Sequence, residues 1–220
     1  MNVVVDAVAT HGRARANALA IVDLDSGRRW RWADLDRVVD RVAWWLIGEL
    51  GPASAARVAT LARNADWMVI LQLACVRAGA IFAPFNWRLA ESELLALAAD
   101  ATPTILFHDA RFTTVLAERR HLIEDLHALT AGVADGPTSA TARQNWEAPS
   151  TLLYTSGTSG RPKGVMISEA NAFFGCSNFI NGSRVSCDSV FLCDMPLFHT
   201  AGLFAATRSP IQAGARVLIP

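Results

Sequence analysis

Residues 152–168 read LLYTSGTSGRPKGVMIS and contain the single lysine, Lys163, of a chain that has 19 arginines. No acidic residue occurs between Ala148 and Ser168, and the only charged side chains there are Arg161 and Lys163. Pro162 stiffens the turn before the lysine. The hydroxyl side chains of the stretch are Thr155, Ser156, Thr158 and Ser159, and its glycines are Gly157, Gly160 and Gly164. Because glycines permit close approach to backbone amides, this loop predicts a site for a polyanion such as a triphosphate.

The choice of lysine at position 163 is informative in a chain that otherwise uses arginine. Lysine is a compact point charge on a flexible stem, whereas arginine is a rigid planar fork. If the bound triphosphate loses pyrophosphate, its phosphate groups move, and a cation on a flexible stem can stay in contact with them. The composition therefore indicates a specific role for Lys163.

Three other interpretations of the loop fit its residues less well. A Walker A loop needs a glycine before the lysine and a serine or threonine after it, but Pro162 and Gly164 stand there. The apolar flanks also predict that the loop joins two strands rather than a strand and a helix. A flexible Gly/Ser linker conflicts with those tight apolar flanks. A hydrolase with a loop serine as nucleophile and Lys163 as its base lacks recognisable partners elsewhere in the chain.

Outward from the loop, strands alternate with helices. Apolar residues recur at helical spacing over 33–50, at Leu35, Val38, Val39, Val42 and Leu46. The predicted strands flank a turn at 25–27 and then cover 57–62, 81–85, 104–109, 151–154, 164–168, 190–194 and 215–220. The predicted helices cover 33–50, 65–80, 90–100, 113–129 (weaker) and 169–183, and a loop over 195–203 enters another helix. This order predicts an α/β fold, with a mostly parallel sheet covered by helices on both faces.

The ends of the predicted domain are less regular. Residues 131–150, AGVADGPTSATARQNWEAPS, predict an exposed connection. The chain stops directly after a predicted strand, with no capping element and no polar tail. We therefore expect residues 1–220 to be an incomplete N-terminal domain whose C-terminal domain is absent. The apolar surface of such a piece predicts self-association.

Composition argues against several classes of protein. Net charge is zero and no block of like charge occurs, which argues against a nucleic-acid or acidic-membrane binder held by bulk electrostatics. The start, MNVVVDAVATHGR, lacks a basic region and a long apolar region, so no signal peptide is expected. The most apolar stretch, residues 67–87, is interrupted by Arg77 and predicts a buried helix and a strand rather than a membrane span.

The cysteines and histidines do not suggest a metal centre. The four cysteines have no CxxC or metal-knuckle spacing, and they predict free, buried thiols in a reducing cytoplasm. His121 and His127 are six residues apart and do not share a helix face. Together with His11 and His108 they are interpreted as surface or capping residues. No metal ligand is assigned.

The quoted stretch resembles the phosphate-binding signature of the AMP-forming adenylate enzymes, a family of acyl-CoA synthetases, peptide-synthetase adenylation domains and luciferases. Residues 195–203, MPLFHTAGL, resemble the family's second motif in the style of fatty acyl-CoA ligases. The segments 31–46, RWADLDRVVDRVAWWL, and 74–109, which begins ACVRAGAIFAPFNWRL, resemble its N-terminal part. The resemblance covers almost the whole chain, with its segments in the family's order.

The resemblance implies a two-step reaction. A carboxylate attacks the α-phosphorus of ATP to give an acyl-adenylate and pyrophosphate, and a thiol, usually that of coenzyme A, then attacks the acyl carbon. It implies that His199 lines the acyl site and helps to gate access to it, although His199 could instead cap the helix entered at Ala201. The residues implied to cradle the β- and γ-phosphates are Thr155, Ser156, Gly157, Thr158, Ser159, Gly160 and Lys163.

The chain also departs from the family. Ser168-Glu169-Ala170-Asn171 stands where the family often has Ser-His-x-Asn. The resemblance further implies a later Thr-Glu segment that binds Mg²⁺, an aspartate that holds the ribose, and a small C-terminal domain with a catalytic lysine. None of these lies within the 220 residues, so the Mg²⁺ ligand is expected downstream of residue 220.

We therefore hypothesise that the chain is the N-terminal part of an ATP-dependent acid–CoA ligase that activates a fatty acid. ATP, the carboxylate and coenzyme A would be its partners. Two alternatives stay open. One is a ligase that delivers the acyl group to a carrier protein, and the other is a truncated, non-catalytic remnant that at most binds nucleotide or a partner. The 220 residues alone are expected to be inactive.

Overall fold

The computed structural model describes residues 6–51, 55–112, 116–133, 146–155 and 162–220. Within these ranges the strands form two separate sheets. The strands are β1 Leu19–Asp23, β2 Arg29–Arg31, β3 Arg57–Leu61, β4 Ile81–Pro84, β5 Ile105–His108, β6 Arg120–Leu122, β7 Pro149–Thr155, β8 Lys163–Ser168, β9 Val190–Leu192 and β10 Arg216–Ile219.

The helices have recognisable local causes. The carboxylate of Asp6 accepts a hydrogen bond from the Ala9 amide at 2.9 Å and so caps the first helix. Gly79, with φ of 73°, ends the third helix in the left-handed region. The helices are α1 Ala7–Ala14, α2 Trp32–Leu50, α3 Asp66–Ala78, α4 Glu91–Ala101, α5 Leu126–Thr130, α6 Glu169–Ser183 and α7 Ser209–Ala213; a π-helical segment, Ala201–Arg208, leads into α7.

Both sheets are mostly parallel. The six-stranded sheet has the order β6-β5-β3-β4-β7-β8, and only β7 and β8 pair antiparallel. The four-stranded sheet has the order β2-β1-β10-β9, and only β2 runs antiparallel to its neighbour. The predicted α/β fold with mostly parallel strands is confirmed, and its strands are divided between two sheets.

Helices cover both faces of the six-stranded sheet, as predicted. On one face, α2 and α3 contribute to an apolar cluster that also contains Val58 of β3 and Val217 of β10, and so joins the two sheets. On the other face, Leu94 and Leu97 of α4 pack with Ala59 of β3. Val58 and Ala59 face opposite sides because side chains alternate along a strand. All residues of α3 are buried, which explains its apolar sequence.

One predicted helix is wrong, and one predicted connection ends earlier than expected. The predicted helix over 113–129 is replaced by β6, a single 3-10 turn at Ile123–Asp125 and α5, while 113–115 lie outside the described residues. Residues 120–122 form a strand instead of a helix because they pair in parallel with β5 and so extend the sheet. Of the predicted connection 131–150, residues 134–145 lie outside the described residues and β7 already begins at Pro149.

The cysteine and histidine interpretations need correction at three residues. Cys187 is exposed, whereas Cys75, Cys176 and Cys193 are buried free thiols as predicted. His121 is a half-buried packing residue rather than a surface or capping one, with its ring centroid 5.5 Å from those of Trp45 and Phe107. His11 is half-buried too, and its ring lies 4.8 Å from that of Trp32.

Across the described part of the chain, we find no helix with the length and apolar character needed to cross a membrane.

Candidate active site

The glycine-rich loop closes an antiparallel pair of strands. Thr155 at the end of β7 lies opposite Lys163 at the start of β8, and Tyr154 lies opposite Gly164. The prediction that the loop joins two strands is therefore confirmed. Of the predicted phosphate-binding residues, Thr155 and Lys163 are described, and both are exposed. Ser156, Gly157, Thr158, Ser159 and Gly160 lie outside the described residues.

Tyr154, the only tyrosine of the chain, anchors the entrance to the loop. Its hydroxyl donates a hydrogen bond of 2.6 Å to Oδ2 of Asp100 at the end of α4. Its ring meets that of Phe85 edge-on at 6.2 Å. A Cβ at Gly164 would lie 3.3 Å from Cε1 of Tyr154 and 2.9 Å from Cδ1 of Leu152. A side chain at position 164 would therefore crowd Leu152 and the Tyr154 ring, and glycine leaves room for both.

Titration of the chain's single tyrosine tests this anchor. Burial, the hydrogen bond to Asp100 and the charge of that carboxylate all raise the pKa of Tyr154. We expect tyrosinate absorbance to appear well above the ordinary pKa of about 10, and to move towards that pKa in Asp100→Asn. Because the folded pKa is raised, this contribution to stability is complete below about pH 10 and is lost as the pH rises towards the folded value.

The free energy of unfolding, measured with urea on both sides of pH 10, should fall at high pH in the wild type. In Tyr154→Phe this fall should be absent. A tyrosine that titrates at its ordinary pKa in both the wild type and Asp100→Asn would contradict the anchor.

His199 lies on the loop between β9 and the π-helical segment. Its amide donates to the Pro196 carbonyl at 3.0 Å, and its own carbonyl accepts from the Leu203 amide at 2.9 Å. The ring is exposed, and Nδ1 lies 3.4 Å from the Ala201 amide. That distance allows a weak cap of the π-helical segment, while the exposed ring is free to meet a ligand. Both predicted roles of His199 stay open.

A cleft of about 480 Å³ brings the loop and the histidine together. Such a volume suits a small-molecule ligand. The cleft lies beside the carboxyl ends of the parallel strands β4 and β7, where open α/β sheets usually bind ligands. Its lining residues are Pro84, Asn86, Leu89, Glu93, Leu97, Leu153, Tyr154, Thr155, Pro162, Phe198, His199 and Thr200.

The structure therefore brings Thr155 and His199 to one cleft. Lys163 is not a lining residue, although it pairs with Thr155 across the hairpin. Directly opposed residues of antiparallel strands share a face, so the lysine side chain leaves the sheet on the same side as that of Thr155. Asn86 and Glu93 were missed by the sequence analysis, because nothing in their local pattern marks them as neighbours of a loop 60 residues later.

A second cavity, of about 460 Å³, adjoins the first through Thr200. It lies between α6 and the π-helical segment, and its surface is mostly apolar. Small residues such as Gly175, Ala201 and Ala205 line it together with the rings of Phe179 and Phe204. Residues 198–200 therefore lie between the cleft, which contains Thr155 and Pro162 at the ends of the glycine-rich loop, and the apolar cavity.

Glu169, which stands where the family often has histidine, is buried in an ion pair. Its carboxylate accepts a hydrogen bond of 2.7 Å from the Ser150 hydroxyl and another of 2.8 Å from Nη2 of Arg208. Burial alone would lower the pKa of Arg208, but the charge of Glu169 raises it. This position therefore ties α6 to the π-helical segment.

The fold and cleft define an α/β ligand-binding domain with a glycine-rich loop at the strand ends. The sequence model of the family described as AMP-binding enzyme matches residues 8–220, and the chain belongs to this family. The family resemblance of the sequence is thereby confirmed.

Similar proteins include several CoA ligases. The chain is 34% identical over 205 residues to an indoleacetate–CoA ligase of Aromatoleum aromaticum, covering 86% of the chain and 39% of that protein. It is 31% identical over 210 residues to a feruloyl-CoA synthase of an Amycolatopsis species, covering 94% of the chain and 42% of that protein. The chain thus spans about two fifths of the length of these relatives.

Two solved structures have a similar fold. ATP-bound MatB from Rhodopseudomonas palustris matches with a TM-score of 0.79 and 28% identity, over 93% of the chain and 42% of that protein. The AMP complex of o-succinylbenzoate–CoA synthetase from Bacillus subtilis matches with a TM-score of 0.85 and 24% identity, over 97% of the chain and 55% of that protein. The second likeness concerns the fold alone.

Proposed function

We propose that the chain is the N-terminal part of an acid–CoA ligase of the cytoplasm, which activates a carboxylate with ATP as an acyl-adenylate and passes the acyl group to the thiol of coenzyme A. The observation that carries this proposal is the junction of the β7–β8 loop with a cleft that also contains His199. Relatives named as CoA ligases and the likeness to ATP-bound MatB support it.

In this proposal the β7–β8 loop binds the β- and γ-phosphates of ATP. Thr155 and the following residues to Gly160 supply hydroxyls and amides, and Lys163 supplies the charge that stabilises departing pyrophosphate. Mg²⁺ would supply further charge stabilisation when bound. We place the Mg²⁺ ligand in the part of the enzyme beyond this chain, as the family resemblance implies.

The apolar cavity is the proposed acyl site. It meets the cleft at Thr200, so an acid seated there would present its carboxylate beside His199. We assign His199 to the boundary between the acyl site and the phosphate site, where its ring controls access. The hydrogen-bond distance of its Nδ1 to Ala201 is long enough for the ring to turn without a large loss of stability.

An aromatic carboxylate is the first substrate candidate. The names of the similar relatives include indoleacetate and ferulate ligases, and two phenylalanine rings line the apolar cavity. Aromatic side chains pack favourably with aromatic ligands. A fatty acid, which the style of the 195–203 motif predicts, is the second candidate.

Acid-dependent ATP–pyrophosphate exchange on the full-length gene product tests the proposal. The panel would contain indoleacetate, ferulate, coumarate and fatty acids of increasing length. We expect exchange with at least one aromatic acid and consumption of coenzyme A in the complete reaction. Exchange without thiol consumption would favour a carrier-protein acceptor, and absence of exchange with every acid would favour a non-catalytic remnant. The 220-residue chain alone should give none.

A further inference from the structure

We infer that Asn64 is the positioning residue that holds His199 at the cleft. Asn64 follows the carboxyl end of β3, 135 positions before the histidine. The geometric part of this inference stands by itself, and its consequence for catalysis rests on the proposed function.

Both ends of the Asn64 side chain bind the loop that carries His199. Nδ2 donates to the Met195 carbonyl at 2.9 Å and, more weakly, to the Cys193 carbonyl at 3.4 Å. Oδ1 accepts from the Leu197 amide at 2.9 Å. The amide of Cys193 still donates to the Leu218 carbonyl of β10 at 2.8 Å. Beyond that bond, the Asn64 amide group holds the backbone of Met195 and Leu197, with one donor and one acceptor.

The fixed segment leaves little freedom to His199. Its amide donates to the Pro196 carbonyl, which lies between the two residues that Asn64 grips most closely. On the other side, the backbone of Gly202 presses on the same turn. A Cβ at Gly202 would lie 2.2 Å from the Pro196 carbonyl oxygen, a distance too short for any real Cβ atom. The histidine is thus held between the Asn64 contacts and the start of the π-helical segment.

Asn64 also links the two sheets. It extends from the end of β3, in the six-stranded sheet that supplies Thr155, whereas the loop it grips continues from β9 of the four-stranded sheet. The position of His199 relative to the phosphate loop therefore depends on a contact between separately built sheets. Asn64 adds a polar contact to the apolar cluster that joins the sheets, at the segment that leads to His199.

The ring resonances of the five histidines test the geometric inference on this chain without any assay of activity. His199→Gln would identify the His199 signals. We expect Asn64→Ala to shift and broaden the His199 signals and leave those of His11 and His121 in place. Asn64→Asp keeps the acceptor for the Leu197 amide and should give a smaller shift. Asn181→Ala, at an exposed position on α6, is the matched control.

Kinetics of the full-length gene product test the catalytic consequence. Asn64→Ala should lower the rate of pyrophosphate exchange by roughly ten-fold and raise KM for the acid, because His199 no longer faces the acyl site in a fixed position. KM for ATP should not change, since the phosphates bind the β7–β8 loop. A variant that is only less stable would contain less folded enzyme. Its apparent kcat would fall, and KM for the acid and KM for ATP would both stay unchanged.

The outcomes separate the inference from the proposed function. Unchanged His199 signals in Asn64→Ala would overturn the positioning role. Shifted signals with unchanged KM for the acid would overturn its catalytic consequence. If the wild type gives no exchange with any acid, the proposed function fails, and the histidine spectra alone decide whether Asn64 positions His199.

Discussion

Lys163→Ala in the full-length protein should slow acid-dependent pyrophosphate exchange by roughly 100- to 1,000-fold, the usual effect of removing one group that stabilises developing charge. The lysine stands at an exposed position of β8 opposite Thr155, at the end of the loop that carries the hydroxyls and glycines. A flexible ammonium there can follow the phosphates as pyrophosphate separates. Because the position is exposed, the free energy of unfolding should change by less than about 0.5 kcal/mol.

Two further variants separate charge from shape. Lys163→Arg keeps the positive charge and should recover only part of the rate, since a planar fork does not follow a moving group in the same way. Arg216→Ala removes an exposed cation from β10 of the other sheet and is the matched control. Exchange that stays at the wild-type rate in Lys163→Ala would remove the lysine from the phosphate site.

The single lysine also permits a test on the 220-residue chain itself. Apart from the amino terminus, Lys163 is the only primary amine, so an amine reagent modifies two positions that mass spectrometry can resolve. ATP should slow modification of Lys163 and leave the amino terminus unaffected. Equal rates with and without ATP would mean that this chain alone does not bring nucleotide to the lysine.

Local patterns in the sequence predict much of the fold. The five apolar residues of 33–50 at helical spacing are all buried on α2, because a stripe of that period must face the core. The apolar runs around the glycine-rich loop become β7 and β8. In each case the signal comes from residues that are neighbours along the chain.

The division into two sheets could not be predicted in this way. Ile21 of β1 pairs with Val217 of β10, nearly 200 positions later, and neither strand carries a mark of its partner. Alternation reports which face of a strand is buried and not which strand lies beside it. The same limit applies to the site. Asn64 reaches the 193–200 loop, and Glu93 reaches the cleft, only through the packing of elements that are distant in the sequence.

Arg77 is the residue whose role differs most from what its sequence context suggests. In the sequence it merely interrupts an apolar stretch. In the structure its side chain is 3% exposed and binds three carboxylates, with Nε 2.8 Å from Asp6, Nη2 2.6 Å from Asp36 and Nη1 2.7 Å from Asp40. Asp6 caps α1, and the other two lie on α2. The guanidinium on α3 therefore joins three helices.

Arg77→Met should lower the free energy of unfolding by about 3–5 kcal/mol, because it leaves three largely buried carboxylates, each 11–17% exposed, without their cation. Urea unfolding followed by the fluorescence of the tryptophans, with Trp32 and Trp67 in the core, measures the change. Arg37→Met is the matched control, since Arg37 pairs with Asp34 on the exposed face of α2, where such a pair contributes about 0–1 kcal/mol. Equal losses in the two variants would show that the buried cluster adds no more than a surface pair. A loss confined to Arg77→Met would show that α1 and α2 depend on one buried cation for their attachment to α3.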